Sequence, residues 1–584
     1  MLLKMTTTCG GAGDDSAAGG FTAYNHPVLH TPFSSRIRRT GQAALGLALA
    51  FAFAATACVS AQTDGNAGGP AAGGPAAGRI LLVLPFENRS GQPSLEWVRE
   101  AAPEILSSRF TSAGFQPMSR TDRMYALDHL GLPEGFHPSR ASSLKLAETL
   151  DADQIVVGSF LTDGTSIVAE ASLVDVPHLR MSPAVTARGE MRDLVAVFSS
   201  LAWKLTRQLD PSSKVSEETF VAAGAGLRVD AFEQYTRGIT ESDQQERLRH
   251  LNQAVLLNPQ FGPAWMALGR EQYRAQQYEQ AAAAFAKVGE SDPNALEAGF
   301  YRGISLLFFG DYGRAEESFS GVARILPLAE VLNNQGVAQA RRGKDGTALF
   351  RQAVAADPSD ADYHFNLAVS LKRHNEAGEA LTELAQELKL HPADAEAQEL
   401  EKAWNGAGKV MAALPEAGTT EALAAKPDPL ERIVRNFDAA AFHQAAQMLD
   451  QMEAQRLAAL GPRERAQKLS AQGRDFLDHG LLMEAERSYL TAVSDDERSA
   501  AAHAGLAEVR ERTGDAAAAR KEATASLELL PSAEAYTVLG RLNLAGGRRD
   551  EARQNAASAL AIDPKSKAAL ELKRKIEGGD GQSK

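Results

Sequence analysis

Residues 259–293 read PQFGPAWMALGREQYRAQQYEQAAAAFAKVGESDP, and this stretch holds one complete unit of a repeat. A proline closes the unit, and further prolines recur along the chain at nearly even steps. The series is Pro259, Pro293, Pro327, Pro358 and Pro392, with steps of 34, 34, 31 and 34 residues. A fixed period of this size indicates a stack of structural repeats.

Each unit has the pattern of two helices. Apolar and small residues recur at helical spacing, and polar turn residues such as Gly310 then interrupt them. A second helical pattern ends at the proline, which cannot continue a helix. Gly269 and Gly303 stand where the paired helices would cross closely. Because one helix pair cannot bury its apolar face alone, we expect the pairs to stack.

The Trp-x-x-Leu-Gly of residues 265–269, the Ala-x-x-x-Phe of 281–285 and 315–319, and the closing prolines resemble the tetratricopeptide repeat (TPR) family. The resemblance implies all-α TPR superhelical arrays whose concave surfaces bind peptides or partner proteins. The 31-residue step departs from the family period, and the turn at 343–346 looks short, so a local kink is expected there.

The repeat pattern also divides the C-terminal part of the chain. It predicts TPR array 1 at 227–404, a linker rich in glycine and proline at 405–429, and a helical region with TPR array 2 at 430–576. Within that region, 430–460 carries two amphipathic helical patterns without the repeat signature. Residues 577–584 are predicted to be a disordered tail.

An α/β layer domain is predicted at 79–210. Apolar runs at 80–86 and 154–160 have the length of buried strands, and 166–174 alternates like a strand with one buried face. Helical patterns lie between and after these strands, as in an α/β layer arrangement. The predicted fold class is therefore multidomain, with an α/β layer domain followed by all-α arrays.

The LPFEN sequence at 84–88 and the ADQIVVGS sequence at 152–159 resemble the amino-terminal α/β domain of TolB-like bacterial envelope proteins. The resemblance implies a module for binding and assembly in the cell envelope. Glu87 and Asn88 are candidates for a ligand loop after the first strand. The alternative is that they cap and turn the chain, since asparagine bonds readily to nearby backbone.

Residues 1–61 comprise an upstream segment and a predicted signal peptide. Three arginines within 36–39 precede an apolar run at 43–55, which is too short for an ordinary membrane span. An ordinary signal peptide seldom starts as far in as this one does, after residues 1–35. A start codon assigned too early would explain that extra length.

The end of the signal peptide allows three interpretations. Cys58 follows an Ala-Thr-Ala sequence and could be lipidated as in bacterial lipoproteins, although that family usually has leucine where Ala55 stands. Cleavage after Ala61 would instead give ordinary secretion, and an uncleaved anchor is the third possibility. Residues 62–78 form a predicted flexible linker, in which 65–78 is almost entirely Gly, Ala and Pro.

Composition and motifs exclude several classes of function. The 584-residue chain carries a net charge of −13, which does not suit nucleic acid because phosphate binding needs a basic surface. Of two cysteines, Cys9 precedes the signal peptide, so a disulfide framework or cysteine zinc site is not expected. The phosphate-binding, metalloprotease and serine-hydrolase motifs are absent. We therefore predict no catalytic, cofactor or metal site and no enzyme activity.

A surface is the remaining candidate for function. In TPR proteins the first helix of each pair lines a concave groove, so the resemblance assigns inward positions at i, i+4 and i+7. The mixture of apolar, aromatic, cationic and amide groups suits an extended peptide or a helix, although the aromatic residues could equally pack between repeats. The family's lysine and asparagine clamp for a C-terminal carboxylate is not reproduced. The predicted groove residues are Met266, Arg270, Tyr273, Phe300, Ile304, Leu307, Asn333, Val337, Phe365, Val369 and Lys372.

These features predict a non-enzymatic protein-binding scaffold of the bacterial cell envelope. It would face the periplasm, be anchored to a membrane through a lipid at Cys58, and bind protein or peptide partners but no nucleic acid. One alternative is an accessory factor in outer-membrane export or assembly. A second alternative is a cell-wall enzyme with an unrecognised site.

Overall fold

A computed structural model describes residues 79–133, 135, 139–410, 429–437 and 439–578. The predicted signal peptide, Cys58 and the 62–78 linker lie outside the described residues, as does nearly all of the predicted tail. Among the described helices, none combines the length and hydropathy that a membrane span requires.

A seven-stranded mixed sheet forms the first part of the described chain. The strands are β1 (Ile80–Val83), β2 (Glu87–Asn88), β3 (Gln116–Pro117), β4 (Gln154–Thr162), β5 (Ser166–Asp175), β6 (Arg180–Met181) and β7 (Val185–Glu190). The order across the sheet is β3-β1-β4-β5-β6, with β2 also pairing with β4 and β7 with β5. Pairs involving β1 or β2 are parallel, and the pairs that β5 makes are antiparallel.

Helices cover both faces of this sheet. They are α1 (Trp97–Ala113), α2 (Arg120–His129), α3 (Arg140–Thr149) and α4 (Leu194–Leu209). Successive residues of a strand point to opposite faces. Accordingly Leu81 of β1 lies in the core that α1 and α4 share, whereas Leu82 lies in a second core with Ala126 and Leu146 of α2 and α3. The predicted α/β layer domain is therefore confirmed.

Antiparallel helix pairs follow and form the first array. The short helix α5 (Glu217–Ala222) comes first. The pairs are α6 (Val229–Thr240) with α7 (Gln244–Leu257), α8 (Gly262–Arg274) with α9 (Tyr278–Phe285), α10 (Ala295–Phe309) with α11 (Tyr312–Ile325), α12 (Ala329–Arg341) with α13 (Thr347–Ala356), and α14 (Ala361–Arg373) with α15 (Ala377–Leu390). Helix α16 (Ala395–Val410) follows the last pair. A methyl group placed on Gly303 would lie 2.6 Å from the ring of Phe319. The predicted close crossing of paired helices is thus confirmed.

The 31-residue step has a different origin from the one expected. Helix α13 has ten residues, whereas α11 and α15 have 14 each. The turn before α13 runs from 342 to 346 and is longer than the two-residue turn at 310–311. The expectation of a short turn at 343–346 is therefore wrong, because the second helix of the pair accounts for the missing residues.

Between the arrays the chain is partly extended. Helix α16 reaches Val410 and so enters the predicted linker at 405–429, while residues 411–428 lie outside the described part. Residues 429–437 form no helix, and α17 (Ala439–Ala458) begins after them. Of the two helices expected in 430–460, the structure contains only this one.

The second array is again built of helix pairs. They are α18 (Pro462–Asp478) with α19 (Leu482–Asp495), α20 (Ala500–Arg512) with α21 (Ala516–Leu529), and α22 (Ala533–Ala545) with α23 (Arg549–Ile562), and α24 (Lys567–Gly578) packs on the last pair. Leu572 and Ile576 of α24 are buried against Ala552 and Ala556. A helix of this kind, with one buried face and one polar face, closes the end of a helical stack.

Both arrays pack against the α/β domain. Tyr235 of α6 donates a hydrogen bond to the Glu104 carboxylate of α1 at 3.0 Å. From the second array, Met483 of α19 enters the same core as α1 and α4, and Glu486 accepts a hydrogen bond from the Ser216 amide at 3.3 Å. The chain therefore returns to its first domain after the first array.

Candidate peptide-binding groove

Residues 429–437, Pro-Leu-Glu-Arg-Ile-Val-Arg-Asn-Phe, lie across the first helices of three consecutive pairs. We call these residues the groove segment, and we call the surface that they cross, made by α10, α12 and α14 with the neighbouring ends of α15 and α16, the groove. The segment begins near α14 and ends near α10, so it runs against the order of the repeats. The structure thus shows this surface holding an extended stretch of chain.

Asn366 of α14 holds the backbone of Arg432 from both sides. Its Oδ1 accepts a hydrogen bond from the Arg432 N–H at 2.6 Å, and its Nδ2 donates to the Arg432 carbonyl at 2.7 Å. Asn366 is completely buried. One asparagine side chain therefore pairs with a residue of the segment much as a neighbouring strand would.

Asn334 of α12 repeats this arrangement two residues further along. It accepts from the Val434 N–H at 3.0 Å and donates to the Val434 carbonyl at 2.7 Å. In an extended chain the backbone groups of residues i and i+2 point to the same side. The two asparagines therefore recognise extended backbone and require no particular side chain at either position.

Asn333 connects the two asparagines. Its Oδ1 accepts from the Nδ2 of Asn366 at 2.8 Å, and its Nδ2 donates to the Arg432 carbonyl at 3.3 Å and to the Oδ1 of Asn334 at 3.2 Å. Buried polar groups stabilise a structure only when they find such partners. The three buried asparagines meet this condition through the groove segment.

Glu431 enters a site made by two arginines. Arg341 of α12 lies 3.0 Å from its carboxylate and also donates to its carbonyl oxygen at 3.0 Å. Arg373 of α14 forms an ion pair with the same carboxylate and donates to the Pro429 carbonyl at 2.8 Å. The Glu431 side chain is only 1% exposed, so its charge is neutralised by these guanidinium groups.

Arg432 enters a site of opposite charge, which we call the arginine pocket. Its guanidinium carbon lies 3.5 Å from the centre of the Phe365 ring, a cation–π contact. Carboxylates surround its nitrogen atoms. The distances are 2.6 Å to Asp394, 3.0 Å to Asp362, 3.3 Å to Glu396 and 3.5 Å to Glu387.

The charges in the arginine pocket influence one another. Burial disfavours the charged form of Arg432, but Asp362 and Asp394 outweigh it and raise the pKa of the guanidinium. Glu387 is fully buried, and burial together with a hydrogen bond to Asp394 raises its pKa to about 7. Glu387 can therefore carry a proton near neutral pH and share it with Asp394.

Glu387, His391 and Asp394 are also close enough together to bind a metal ion. In the structure the positive charge at this place is the Arg432 guanidinium. These acidic groups therefore lie beside a cationic side chain of the same chain.

The far end of the groove is aromatic. Phe437 packs on Phe300 with ring centres 5.3 Å apart, and the Arg435 guanidinium lies 4.9 Å from the centre of Phe308. Tyr273 lies beside Phe308, and burial raises its pKa to about 12. At this end of the groove, aromatic rings contact the C-terminal residues of the groove segment.

The predicted groove residues fall into three groups, and their role in binding a partner stays a prediction. Phe300, Asn333 and Phe365 contact the groove segment directly. Arg270 forms an ion pair with Glu297, Tyr273 packs among aromatic rings, and Lys372 lies over Trp404. The remaining five are buried in the cores between helices; they are Met266, Ile304, Leu307, Val337 and Val369.

Sequence reasoning missed Asn334, Asn366, Arg341 and Arg373. The sequence does contain a pattern that could have indicated them. Asn334 and Asn366 occupy the same position in two consecutive units, 32 residues apart, and so do Arg341 and Arg373. Recurrence of a polar residue at a buried position of a repeat is unusual, because such positions are mostly apolar. The sequence could not show that the ligand of these residues lies in the same chain.

Glu87 and Asn88 do not lie in a loop but form strand β2, which pairs with β4, and the Asn88 side chain holds the turn that follows. Asn88 donates to the Gln92 carbonyl at 3.1 Å and to Glu96 at 2.9 Å, and it accepts from the Ser90 amide at 3.0 Å. Glu87 forms an exposed ion pair with Arg89. The contacts of Asn88 agree with the capping and turn alternative, whereas the ion pair of Glu87 with Arg89 is not a cap.

Comparison with known families assigns the helix pairs to a class. The family model of the tetratricopeptide repeat matches residues 266–330, 335–397 and 470–533. Both arrays therefore carry tetratricopeptide repeats, which are generally scaffolds for protein interaction. No curated protein sequence matches this chain.

Solved structures with similarity to parts of the chain include other repeat proteins. The crystal structure of MamA has 13% sequence identity and a TM-score of 0.26, and the match covers 28% of this chain and 96% of MamA. YrrB, described as a TPR protein with an unusual peptide-binding site, has 16% identity and a TM-score of 0.26, covering 35% of this chain and 99% of YrrB. The C-terminal domain of LpoB from Escherichia coli has 20% identity and a TM-score of 0.18, covering 20% of this chain and 87% of that domain.

Proposed function

We propose that this protein is a non-enzymatic scaffold of the bacterial cell envelope whose first array binds an extended segment of a partner protein. The observation that carries the proposal is the pairing of Asn366 and Asn334 with the backbone of residues 432 and 434. These side chains hold both N–H and carbonyl groups of an extended chain. A surface built in this way suits peptide binding.

The same geometry favours an extended ligand over a helical one. In a helix the N–H and carbonyl groups are engaged in bonds within the helix itself. They would not be available to the two asparagines. We therefore narrow the expected ligand to a chain in strand conformation, which is one of the two kinds that the sequence suggested.

The envelope location rests on residues outside the described part. Three arginines within 36–39, the apolar run at 43–55 and the Gly/Ala/Pro stretch at 65–78 support export followed by a flexible spacer. Cys58 between the last two supports a lipid anchor on a membrane. The net charge of −13 is consistent with protein partners and not with nucleic acid.

Photo-crosslinking in cells tests the groove. A photoreactive phenylalanine analogue replaces Phe308, which lies at the groove, or Ile325, which is 61% exposed on the second helix of the same pair. We expect a partner adduct from position 308 alone. The adduct should disappear when Asn334→Ala and Asn366→Ala are introduced together. Equal adducts from both positions, or adducts that survive the asparagine changes, would contradict the proposal.

Cys58→Ser tests the anchor. Removing the only sulfur near the end of the signal peptide should release the protein into the soluble fraction or leave it unprocessed, because the lipid is attached to that sulfur. Membrane fractionation and electrophoretic mobility measure both outcomes. A variant that fractionates and migrates like the wild type would show that Cys58 is not lipidated.

A further inference from the structure

We propose that residues 429–437 are a built-in competitor for the groove, and that partner segments displace them by presenting the same chemistry, an arginine that follows an acidic residue in an extended chain. This inference rests on the proposed peptide-binding function and adds the specificity of the groove and its control. The external ligand of the groove is then an arginine-containing peptide.

The charge arrangement argues for this specificity. The groove places two guanidinium groups, Arg341 and Arg373, beside the position of Glu431, and four carboxylates around the position of Arg432. Burying a charge is unfavourable unless an opposite charge and hydrogen bonds accompany it. Without an occupant, like charges would face one another in both places. The groove therefore favours a ligand with an acidic side chain followed directly by a basic one.

The arginine pocket also distinguishes arginine from lysine. The guanidinium carbon lies 3.5 Å from the centre of the Phe365 ring, while two different nitrogen atoms of the group reach Asp362 and Asp394. A lysine ammonium is a compact point charge and cannot reproduce stacking and a forked contact at the same time. Arginine at this position is therefore the determinant of specificity, while Asn366 and Asn334 supply contacts that any extended chain could make.

The covalent connection explains how the groove segment would control access. Residues 411–428 join it to α16, the last helix of the first array. A tethered ligand acts at an effective concentration on the order of millimolar. A free peptide must compete with that concentration, so a weak or unrelated peptide is excluded. A partner gains entry when its segment binds more tightly or when the groove segment is drawn out.

A labelled peptide with the sequence of residues 429–437 provides the test. Fluorescence anisotropy measures its binding to the full-length wild-type chain and to the chain with Glu431→Ala and Arg432→Ala together. Because these changes remove the charges that hold the tethered segment, the peptide should bind the variant at least about tenfold more tightly. Leu430→Ala, at a 59% exposed position of the same segment, is the matched control and should behave like the wild type.

Two changes test the specificity. A peptide with alanine or lysine in place of its first arginine, the one matching Arg432, should bind the open variant at least about tenfold more weakly. Asn366→Ala, added to the open variant, should weaken binding of every peptide alike, since the hydrogen bonds that Asn366 makes to the segment are to its backbone. Thermal unfolding of each chain shows whether the variants remain folded.

A third measurement uses the wild-type chain, so its result does not depend on whether a variant folds. Hydrogen exchange of residues 429–437 should become faster when an excess of the peptide is added, because displaced amides of Arg432 and Val434 lose their asparagine partners. Equal peptide affinity for wild type and open variant, with unchanged exchange, would overturn the competitor inference and leave peptide binding intact. Peptides of all sequences binding equally would overturn the arginine specificity. No binding to any chain would instead overturn the proposed function itself.

Discussion

Single residues decide what the groove can hold. Asn366 and Asn334 each offer one acceptor and one donor in a fixed plane, which matches the N–H and carbonyl of one extended residue. Removing one partner leaves buried polar groups without a bond, a loss of about 1–3 kcal/mol for each group. The hydrogen bonds of Asn366 and Asn334 therefore contribute directly to the stability of the bound segment.

Glu387 leads to a prediction about pH. Its folded-state pKa is raised to about 7 by burial and by Asp394. The neutral form is thus favoured in the folded state, so its contribution is fully present below the ordinary pKa and is lost as pH rises through about 7. The thermal midpoint of the wild type should therefore fall as the pH rises from 4.5, the ordinary pKa, to about 7, and should level off above that. In a chain of this length the fall should be at most about 2 °C for each kcal/mol lost.

Glu387→Gln should remove that component, because glutamine stays neutral throughout. Glu379→Gln, at an exposed position on the same helix, should keep the wild-type pH dependence. The measurement is thermal unfolding of the three full-length chains across this pH range. Curves for Glu387→Gln that run parallel to the wild type would show that Glu387 does not titrate there.

At the scale of elements, local sequence patterns determine the paired helices, whereas contacts with distant residues determine the conformation of the groove segment. The helix pairs follow from periodicity and from small residues at their crossings, such as Gly303 against Phe319. Residues 429–437 adopt an extended form although their pattern suggested a helix. The reason is that side chains of α12 and α14 supply the backbone partners that a helix would otherwise provide internally.

Replacing either of two glycines on neighbouring helices by alanine should change the stability of the chain in opposite directions. A methyl group at Gly303 would meet the Phe319 ring at 2.6 Å, so Gly303→Ala should destabilise the chain by about 1–3 kcal/mol. At Gly321 in α11 the nearest atom is the end of the Arg324 side chain at 3.9 Å, so Gly321→Ala should stabilise it by up to about 1 kcal/mol. Urea unfolding measures both. Equal effects of the two changes would show that the crossing at Gly303 is not closely packed.

For the whole molecule, the second array is attached at two or more places in the described part of the chain, besides its covalent connection. The groove segment binds the first array, and α19 packs on the α/β domain, where Arg487 also donates to the Ser112 carbonyl at 3.3 Å. From the sequence alone, the linker at 405–429 predicts two arrays that move separately. The contacts in the structure predict that they stay together.

Cutting the chain between the two arrays tests whether the arrays move separately or stay together. A specific protease site placed within 411–428 should allow cutting without dissociation, so both pieces should elute together in size-exclusion chromatography. Glu431→Ala with Arg432→Ala removes one of the attachments and should make the cut pieces separate more readily on dilution. Immediate separation of the cut wild-type chain would support independent arrays.

The sequence by itself determined the repeating helix pairs, the close crossings and the α/β layer domain. These features depend on short-range patterns, namely the positions of apolar residues, glycines and prolines within a few turns of chain. It also indicated an apolar, aromatic surface with amide groups, including Phe300, Asn333 and Phe365. Each of these properties can be recognised without knowing which distant residues meet.

Only the tertiary structure decided that residues 429–437 lie in the groove and that α19 returns to the first domain. Asn366 and Arg432 are 66 positions apart, and Ser216 and Glu486 are 270 apart. No periodic pattern relates such residues, because their contact depends on how many helix pairs stack and where the chain re-enters. The conformation of the segment follows from those long-range hydrogen bonds and charges, which outweigh its local preference.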